Sequence, residues 1–229
     1  MRWVITGANR GIGLELVRQL AARGDAVVAA ARDPGSAREL TALSGKAGDA
    51  VRVYACDVGR DESVLEFART LEGTPVDVLV NNAGVYGKMQ SLEELDLDDV
   101  RASFEVNALG PIRVTRALLP NLLKSSSKRV VHITSGMGSI GDNTSGGAYG
   151  YRMSKAALNM ANKSMSCDFR AAGLVAVVMN PGWVQTDMGG SGAPTKVDDS
   201  VRMMLARIDA LTSADSGAFL DYKGGALPY

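Results

Sequence analysis

The sequence predicts an α/β fold in which one doubly wound parallel sheet of about seven strands is flanked by helices. Three observations carry this. Short Val/Ile/Ala-rich runs alternate regularly with longer stretches of helical period, as successive β-α-β units require. The strand candidates are near-continuously apolar, the pattern of strands covered on both faces. Glycines cluster where the first strand should turn into the first helix, in Gly7-Ala8-Asn9-Arg10-Gly11-Ile12-Gly13.

In chain order the predicted strands are Arg2–Thr6, Ala26–Ala31, Val51–Ala55, Val76–Val80, Arg129–Thr134, Val175–Met179 and a weaker Ala218–Leu220. Helices are predicted near Gly11–Arg23, Ser36–Lys46, Glu62–Glu72, Leu97–Lys124, Tyr151–Ala172 and Asp198–Leu211, with Gly24, Gly73 and Gly173 as C-terminal caps. The stretches Gly136–Gly150 and Trp183–Lys196 read as loops. Both follow the C-terminal ends of strands, the edge at which open α/β sheets bind ligands. No repeat, low-complexity tract or linker interrupts the pattern, so residues 1–229 are expected to form a single dinucleotide-binding and catalytic domain.

Composition removes several functional classes. Hydrophobic residues make up 46% and charged residues 22%, which is ordinary globular usage. Lys+Arg and Asp+Glu balance at 25 each, so no basic excess points to nucleic acid or anionic lipid. No apolar run approaches the roughly 18 residues of a membrane span, and strand-like residues beginning at Trp3 leave no room for a leader. A cytoplasmic location is expected, with neither a nucleic-acid nor a membrane partner. Cys56 and Cys167 are expected to be buried free thiols, and the absence of metal-ligand spacing predicts no metal site.

Glycine at the first turn lets the backbone approach a pyrophosphate closely, while the N–H groups and dipole of the following helix face the anion. This is a Rossmann-type dinucleotide seat, although the spacing is G-x-x-x-G-x-G and not G-x-G-x-x-G. Taken alone, the turn also has a minority reading as a tight structural turn. The second strand ends in Ala30-Ala31-Arg32-Asp33. An acidic group there suits the ribose 2′-OH of NAD, and an arginine suits the 2′-phosphate of NADP. Arg10 adds a second guanidinium near the same phosphate, so NADP(H) is favoured over NAD(H), with Asp33 before Pro34 equally readable as a turn residue.

Tyr151 and Lys155 stand at i and i+4, on one helix face. An ammonium beside a phenol favours the phenolate and lowers the tyrosine pKa toward neutrality, the requirement for proton exchange with a substrate. Tyr149 is a near competitor, but four positions after it stands Met153.

With these residues in place the sequence resembles the classical short-chain dehydrogenase/reductase family along essentially its whole length. The motifs fall in the family's order: Thr6-Gly7-x-x-x-Gly11-x-Gly13, Asp57-Val58, Asn81-Asn82-Ala83-Gly84, Asn107, Ser135, Tyr151-x-x-x-Lys155, and Pro181-Gly182 with Thr186. The resemblance implies that Tyr151 is the general acid in reduction or the base in oxidation. It implies that Ser135 holds the carbonyl oxygen and that Lys155 binds the nicotinamide ribose and depresses the Tyr151 pKa. Asn107 would help hold a water linking Lys155 to a proton relay. Cofactor contacts are implied for Gly7, Asn9, Arg10, Gly11, Ile12, Gly13, Arg32, Asp57, Val58, Asn82, Ala83, Gly84, Tyr151, Lys155, Pro181, Gly182, Val184 and Thr186. The segments around Gly138–Thr144, Tyr151–Lys155 and Phe219–Tyr222 resemble the carbonyl-reductase-like, cell-contact signalling factor-like subgroup. The stretch from Ser135 to Tyr151 is longer than is usual in the family.

The expected activity is hydride transfer from NADPH to a small or medium apolar aldehyde or ketone, with Ser135, Met137, Tyr86 and Trp183 at the substrate. An NAD-dependent alcohol dehydrogenase and a dinucleotide-sensing or signalling protein are the alternatives. Asn107 could instead satisfy backbone groups near Pro111. Asn81 and His132 read as structural, and the methionines as core or contact residues. The family's helical contacts imply a homodimer or homotetramer.

Overall fold

The computed structural model describes all 229 residues. Seven strands, β1 (Arg2–Thr6), β2 (Ala26–Ala31), β3 (Val51–Ala55), β4 (Val78–Asn81), β5 (Arg129–Ile133), β6 (Val175–Asn180) and β7 (Phe219–Asp221), form one sheet in the order β3-β2-β1-β4-β5-β6-β7. Every pairing is parallel. The order reverses beside β1, between the outward run to β3 and the run that starts at β4. Such a switch point opens a crevice at the carboxyl ends of the strands.

Alternate side chains on each strand enter different cores, which explains the continuous apolar runs. Trp3, Ile5, Ala29 and Val177 face α1 (Gly11–Ala22), α2 (Arg38–Ala47) and α7 (Val197–Asp209). Val4, Ala30, Leu79 and Val130 face α3 (Asp61–Arg69) and α5 (Gly110–Lys124) on the other side. The long α6 (Tyr149–Asp168) covers β6 and β7 through Leu158, Val178 and Phe219. No helix is long and apolar enough to cross a membrane.

Four expectations are corrected. The single helix expected over Leu97–Lys124 is two, α4 (Leu97–Phe104) and α5, joined by a π-helical turn, Glu105–Leu109. There the Gly110 N–H bonds to the Glu105 carbonyl, and Pro111 next in line has no N–H to continue the ordinary ladder. Residues 34–36 form a separate 3₁₀ turn capped by Asp33, so α2 begins only at Arg38. The α6 helix starts two residues before Tyr151, entered through Ala148 at φ +46°. Cys56 is buried and free as expected, but Cys167 is exposed, because it falls outside the buried stripe of α6 that runs through Tyr151, Lys155, Leu158, Asn162 and Ser166.

Candidate active site

The site begins with a cross-strand clamp at the switch point. Thr6 ends β1, and its hydroxyl oxygen accepts from the Asn82 N–H at 3.0 Å and the Ala83 N–H at 3.1 Å. The Asn82 side-chain amide donates to the carbonyls of Thr6 (2.9 Å) and Gly7 (3.1 Å). This packs the glycine turn against the end of β4. Gly7 has φ +63°, and a Cβ there would lie 2.7 Å from the Ala83 Cα; a Cβ on Gly13 would lie 2.3 Å from the Gly7 carbonyl oxygen. Only glycine fits either position.

Beside the turn lies a cavity of about 300 Å³. The turn contributes Gly7, Asn9, Arg10, Gly11 and Ile12, the end of β2 contributes Arg32 and Asp33, and the end of β3 contributes Asp57 and Val58. Asn82, Ala83 and Gly84 follow β4, Tyr151 and Lys155 enter from α6, and Pro181 and Thr186 follow β6. Three expected contacts lie elsewhere. Gly13 is buried behind the turn, where its missing side chain permits the clamp. Gly182, at φ +80°, packs on Tyr222, and Val184 is buried within its own loop, paired with Thr195.

Arg32 is exposed on the cavity wall and has no carboxylate partner. Asp33 beside it accepts from the Gly35 N–H at 3.0 Å through one carboxylate oxygen. Arg10 pairs with Asp187 at 2.9 Å. Asp57 accepts from the Gly59 N–H at 3.0 Å, which shapes the bend after β3.

Lys155 is buried, and its ammonium donates to the Ile133 carbonyl at 2.8 Å. Burial pulls its pKa down to about 8. Its nitrogen lies 5.7 Å from the centre of the Tyr151 ring. The expectation that the Tyr151 pKa falls toward neutrality is corrected. Burial pushes the phenol above its ordinary value, the Ser135 hydroxyl pulls it the other way, and Tyr86 pushes it up again. In this state, desolvation outweighs every charged or hydrogen-bonding neighbour of Tyr151. Ser135 also accepts from the Met137 N–H at 3.1 Å, capping the short turn after β5. Gly138 in that turn lets α6 approach closely, since a Cβ there would lie 2.9 Å from the Lys155 Cβ.

Tyr86 stacks at a tilt on Tyr151, with ring centres 4.7 Å apart. Its hydroxyl faces only sulfur, Met89 at 3.6 Å and Met137 at 3.9 Å. Ser135, Met137 and Tyr86 are therefore brought together beside Tyr151. Trp183 is not held there: its indole is exposed and donates to the Gly189 carbonyl at 2.7 Å.

Asn107 sits buried in the π-helical turn and does not line the cavity. Its oxygen accepts from the Val85 N–H at 2.8 Å, and its nitrogen donates to the Val85 carbonyl at 2.8 Å and to the Ser154 hydroxyl at 3.0 Å. Its backbone partners are those of the loop after β4, not groups released by Pro111. A Cβ on Gly84 would lie 3.2 Å from the Asn107 oxygen and 3.6 Å from the Lys155 nitrogen, so both side chains converge on that glycine. Asn81 donates to Thr115 at 3.0 Å and meets the His132 ring at 3.2 Å, a buried structural pair. Burial, with the Lys155 charge adding, lowers the His132 pKa to about 3.

Sequence reasoning missed Ser36, Val85, Val106, Asp187 and Met188, all of which line the cavity. None belongs to a spacing that announces its role; Asp187 had only its place beside Thr186 as a signal.

Residues 2–196 match the family described as short chain dehydrogenase. The C-signal protein of Myxococcus xanthus is 55% identical over 163 residues, covering 71% of this chain and 98% of that protein. Among solved structures, the NADPH-bound carbonyl reductase from chicken fatty liver superposes with a TM-score of 0.94 at 34% identity, covering 100% of this chain and 98% of that one. The carbonyl reductase Sniffer of D. melanogaster superposes with a TM-score of 0.95 at 31% identity, covering 100% and 99%. With a glycine-turn cavity meeting a Ser-Tyr-Lys cluster, and with these matches along its length, the chain belongs to the short chain dehydrogenase family and is an oxidoreductase.

Proposed function

We propose that this oxidoreductase reduces a small or medium apolar aldehyde or ketone with NADPH, within one dinucleotide-binding and catalytic unit spanning residues 1–229. The observation that carries this reading is that Tyr151, with the Ser135 hydroxyl beside it, and Lys155 enter a cavity whose other wall presents an unpaired Arg32. The likeness to an NADPH-bound carbonyl reductase supports it.

The residues present fit a dinucleotide. The glycine cradle leaves no room for a Cβ at Gly7 or Gly13, and the first turn of α1 offers free N–H groups to a pyrophosphate. Arg32 and Arg10 would hold a 2′-phosphate, while one Asp33 oxygen is taken by the Gly35 N–H of its turn. Asp57 and Val58 would flank the adenine. Ala83, Gly84, Pro181 and Thr186 would flank the nicotinamide half. When bound, the reduced nicotinamide supplies the hydride to the carbonyl carbon.

The protein's part is polarisation and proton supply. Ser135 and Tyr151 hydrogen-bond the carbonyl oxygen, and Tyr151 gives it a proton as the alcohol forms. Burial keeps Tyr151 protonated until that moment. The Lys155 ammonium, fixed by Ile133, stabilises the phenolate left behind and holds the nicotinamide ribose. Asn107 fixes the loop carrying Val85 and Tyr86, and through a water would pass protons onward from Lys155. Tyr86, Met137 and Ser135 form the substrate seat; Trp183 would join it only by moving its loop. Leu109 at the end of the π-helical turn, Ile112 on α5 and Met153 and Met160 on α6 are exposed apolar residues that suit a homodimer or homotetramer contact. The two unpaired cysteines suit the reducing cytoplasm.

Signalling is the second reading, favoured by the resemblance to the C-signal protein. Titration with NADPH and NADH, joined to turnover of a panel of small carbonyls, separates the two. NADPH preference with turnover supports the reductase. Tight binding with no turnover supports signalling, and preference for NADH overturns the assignment of Arg10 and Arg32.

A further inference from the structure

Arg10 of the glycine turn and Asp187 of the loop after β6 meet at 2.9 Å, although they stand 177 residues apart in the chain. Both line the same cavity. Their side chains are 68% and 74% exposed, so packing holds neither in place. Arg32 stands on the same wall with no carboxylate, and Asp33 turns its own carboxylate toward Gly35. Of the two cations that face the 2′-phosphate in the reading above, one is free and the other is already engaged by a carboxylate.

We propose that Asp187 competes with the cofactor's 2′-phosphate for Arg10, and thereby sets the discrimination between NADPH and NADH. The inference rests on the NADPH reading. A guanidinium has one planar fork of donors, and a carboxylate and a phosphate each occupy it best in a two-point contact, so full engagement of one excludes the other. An exposed ion pair is weak and a phosphate dianion displaces it. NADH carries no such phosphate and leaves the pair closed.

The competition reaches the substrate side of the cleft. Asp187 lies in a loop with its own internal bonds: Gly189 N–H to the Thr186 hydroxyl at 3.1 Å, the Trp183 indole to the Gly189 carbonyl at 2.7 Å, and Gln185 N–H to the Thr195 carbonyl at 2.9 Å. The loop is a unit, and the Arg10 contact ties that unit to the glycine turn. Occupying Arg10 with phosphate releases the tie. By linkage, whatever strengthens the tie weakens NADPH to the same degree. Asp187 is thus a positioning residue acting through Arg10.

The test is a double-mutant cycle on binding, independent of turnover: dissociation constants for NADPH and NADH with wild type, Asp187→Asn, Arg10→Gln and the double variant. Asp187→Asn should tighten NADPH by about threefold to fivefold, the range of an exposed ion pair, and leave NADH unchanged. In the Arg10→Gln background the same substitution should do nothing. An equal gain for NADH, a gain that persists without Arg10, or no gain in a protein that still prefers NADPH overturns the competition and leaves the reductase reading standing. A wild type that does not prefer NADPH overturns the competition together with the assignment of Arg10 and Arg32 to a 2′-phosphate.

Discussion

Asn107 holds both backbone polar groups of Val85, accepting from its N–H and donating to its carbonyl, each at 2.8 Å. The bonds reach from a π-helical turn to the loop that carries Tyr86 against Tyr151. Asn107→Ala would leave the two Val85 groups without their partner and remove a donor from Ser154. The expected loss of stability is about 2–3 kcal/mol, read as a lower urea midpoint. Because Tyr86 loses its footing, kcat/KM should fall further than the fraction unfolded accounts for.

In the proposed mechanism the charged Lys155 ammonium stabilises a phenolate, and burial lowers its pKa to about 8. Lys155 is therefore charged below that pH and neutral above it. Rates of carbonyl reduction should hold below pH 8 and decline as pH rises through it. Lys155→Met should be slow throughout and lack the step. A pH–rate series on both proteins checks this.

His132 is fully buried with a pKa near 3, against an ordinary value of 6.5. The unfolded chain takes up this proton first as pH falls. The stability contribution is present above about pH 6.5 and is lost progressively toward pH 3. By pH 5 the loss from this group alone is about 2 kcal/mol. Urea midpoints at pH 7 and pH 5 should separate in wild type and draw together in His132→Asn.

Two glycine substitutions should behave differently. Gly13→Ala puts a methyl group 2.3 Å from the Gly7 carbonyl, with the Asn82 amide 2.6 Å away, so it should displace the turn and abolish NADPH binding. Gly24, at φ +83°, has nothing within 4 Å of a new Cβ. Gly24→Ala should cost only backbone strain, about 1–2 kcal/mol, and leave binding intact. Thermal melts with NADPH titrations on both variants read the contrast.

Much of this molecule was legible in its residues because the relevant signals are local. Apolar runs named all seven strands, and their parallel pairing follows from the helices between them. The glycine turn, Arg32, Asp57 and the i, i+4 pair of Tyr151 and Lys155 all reach one cavity. What was not legible depends on tertiary contact. The periodicity of Leu97–Lys124 gives no sign of the π-helical turn that aims Asn107 at Val85. The pKa of Tyr151 is set by how deeply it is buried, which its lysine partner alone does not reveal. The close approaches that require glycine at Gly13 and Gly182, to Gly7 and to Tyr222, are likewise made only by the fold. Asp187 gains meaning only when the fold carries it to Arg10.

The central claim is that Tyr151 supplies the proton in carbonyl reduction, and Tyr151→Phe tests it most directly. The ring and its contact with Tyr86 remain; only the hydroxyl is lost. NADPH oxidation against a panel of small apolar aldehydes and ketones should fall by about 10²- to 10⁴-fold while the NADPH dissociation constant stays as in wild type. A Tyr151→Phe protein that turns over these carbonyls at the wild-type rate would contradict the account.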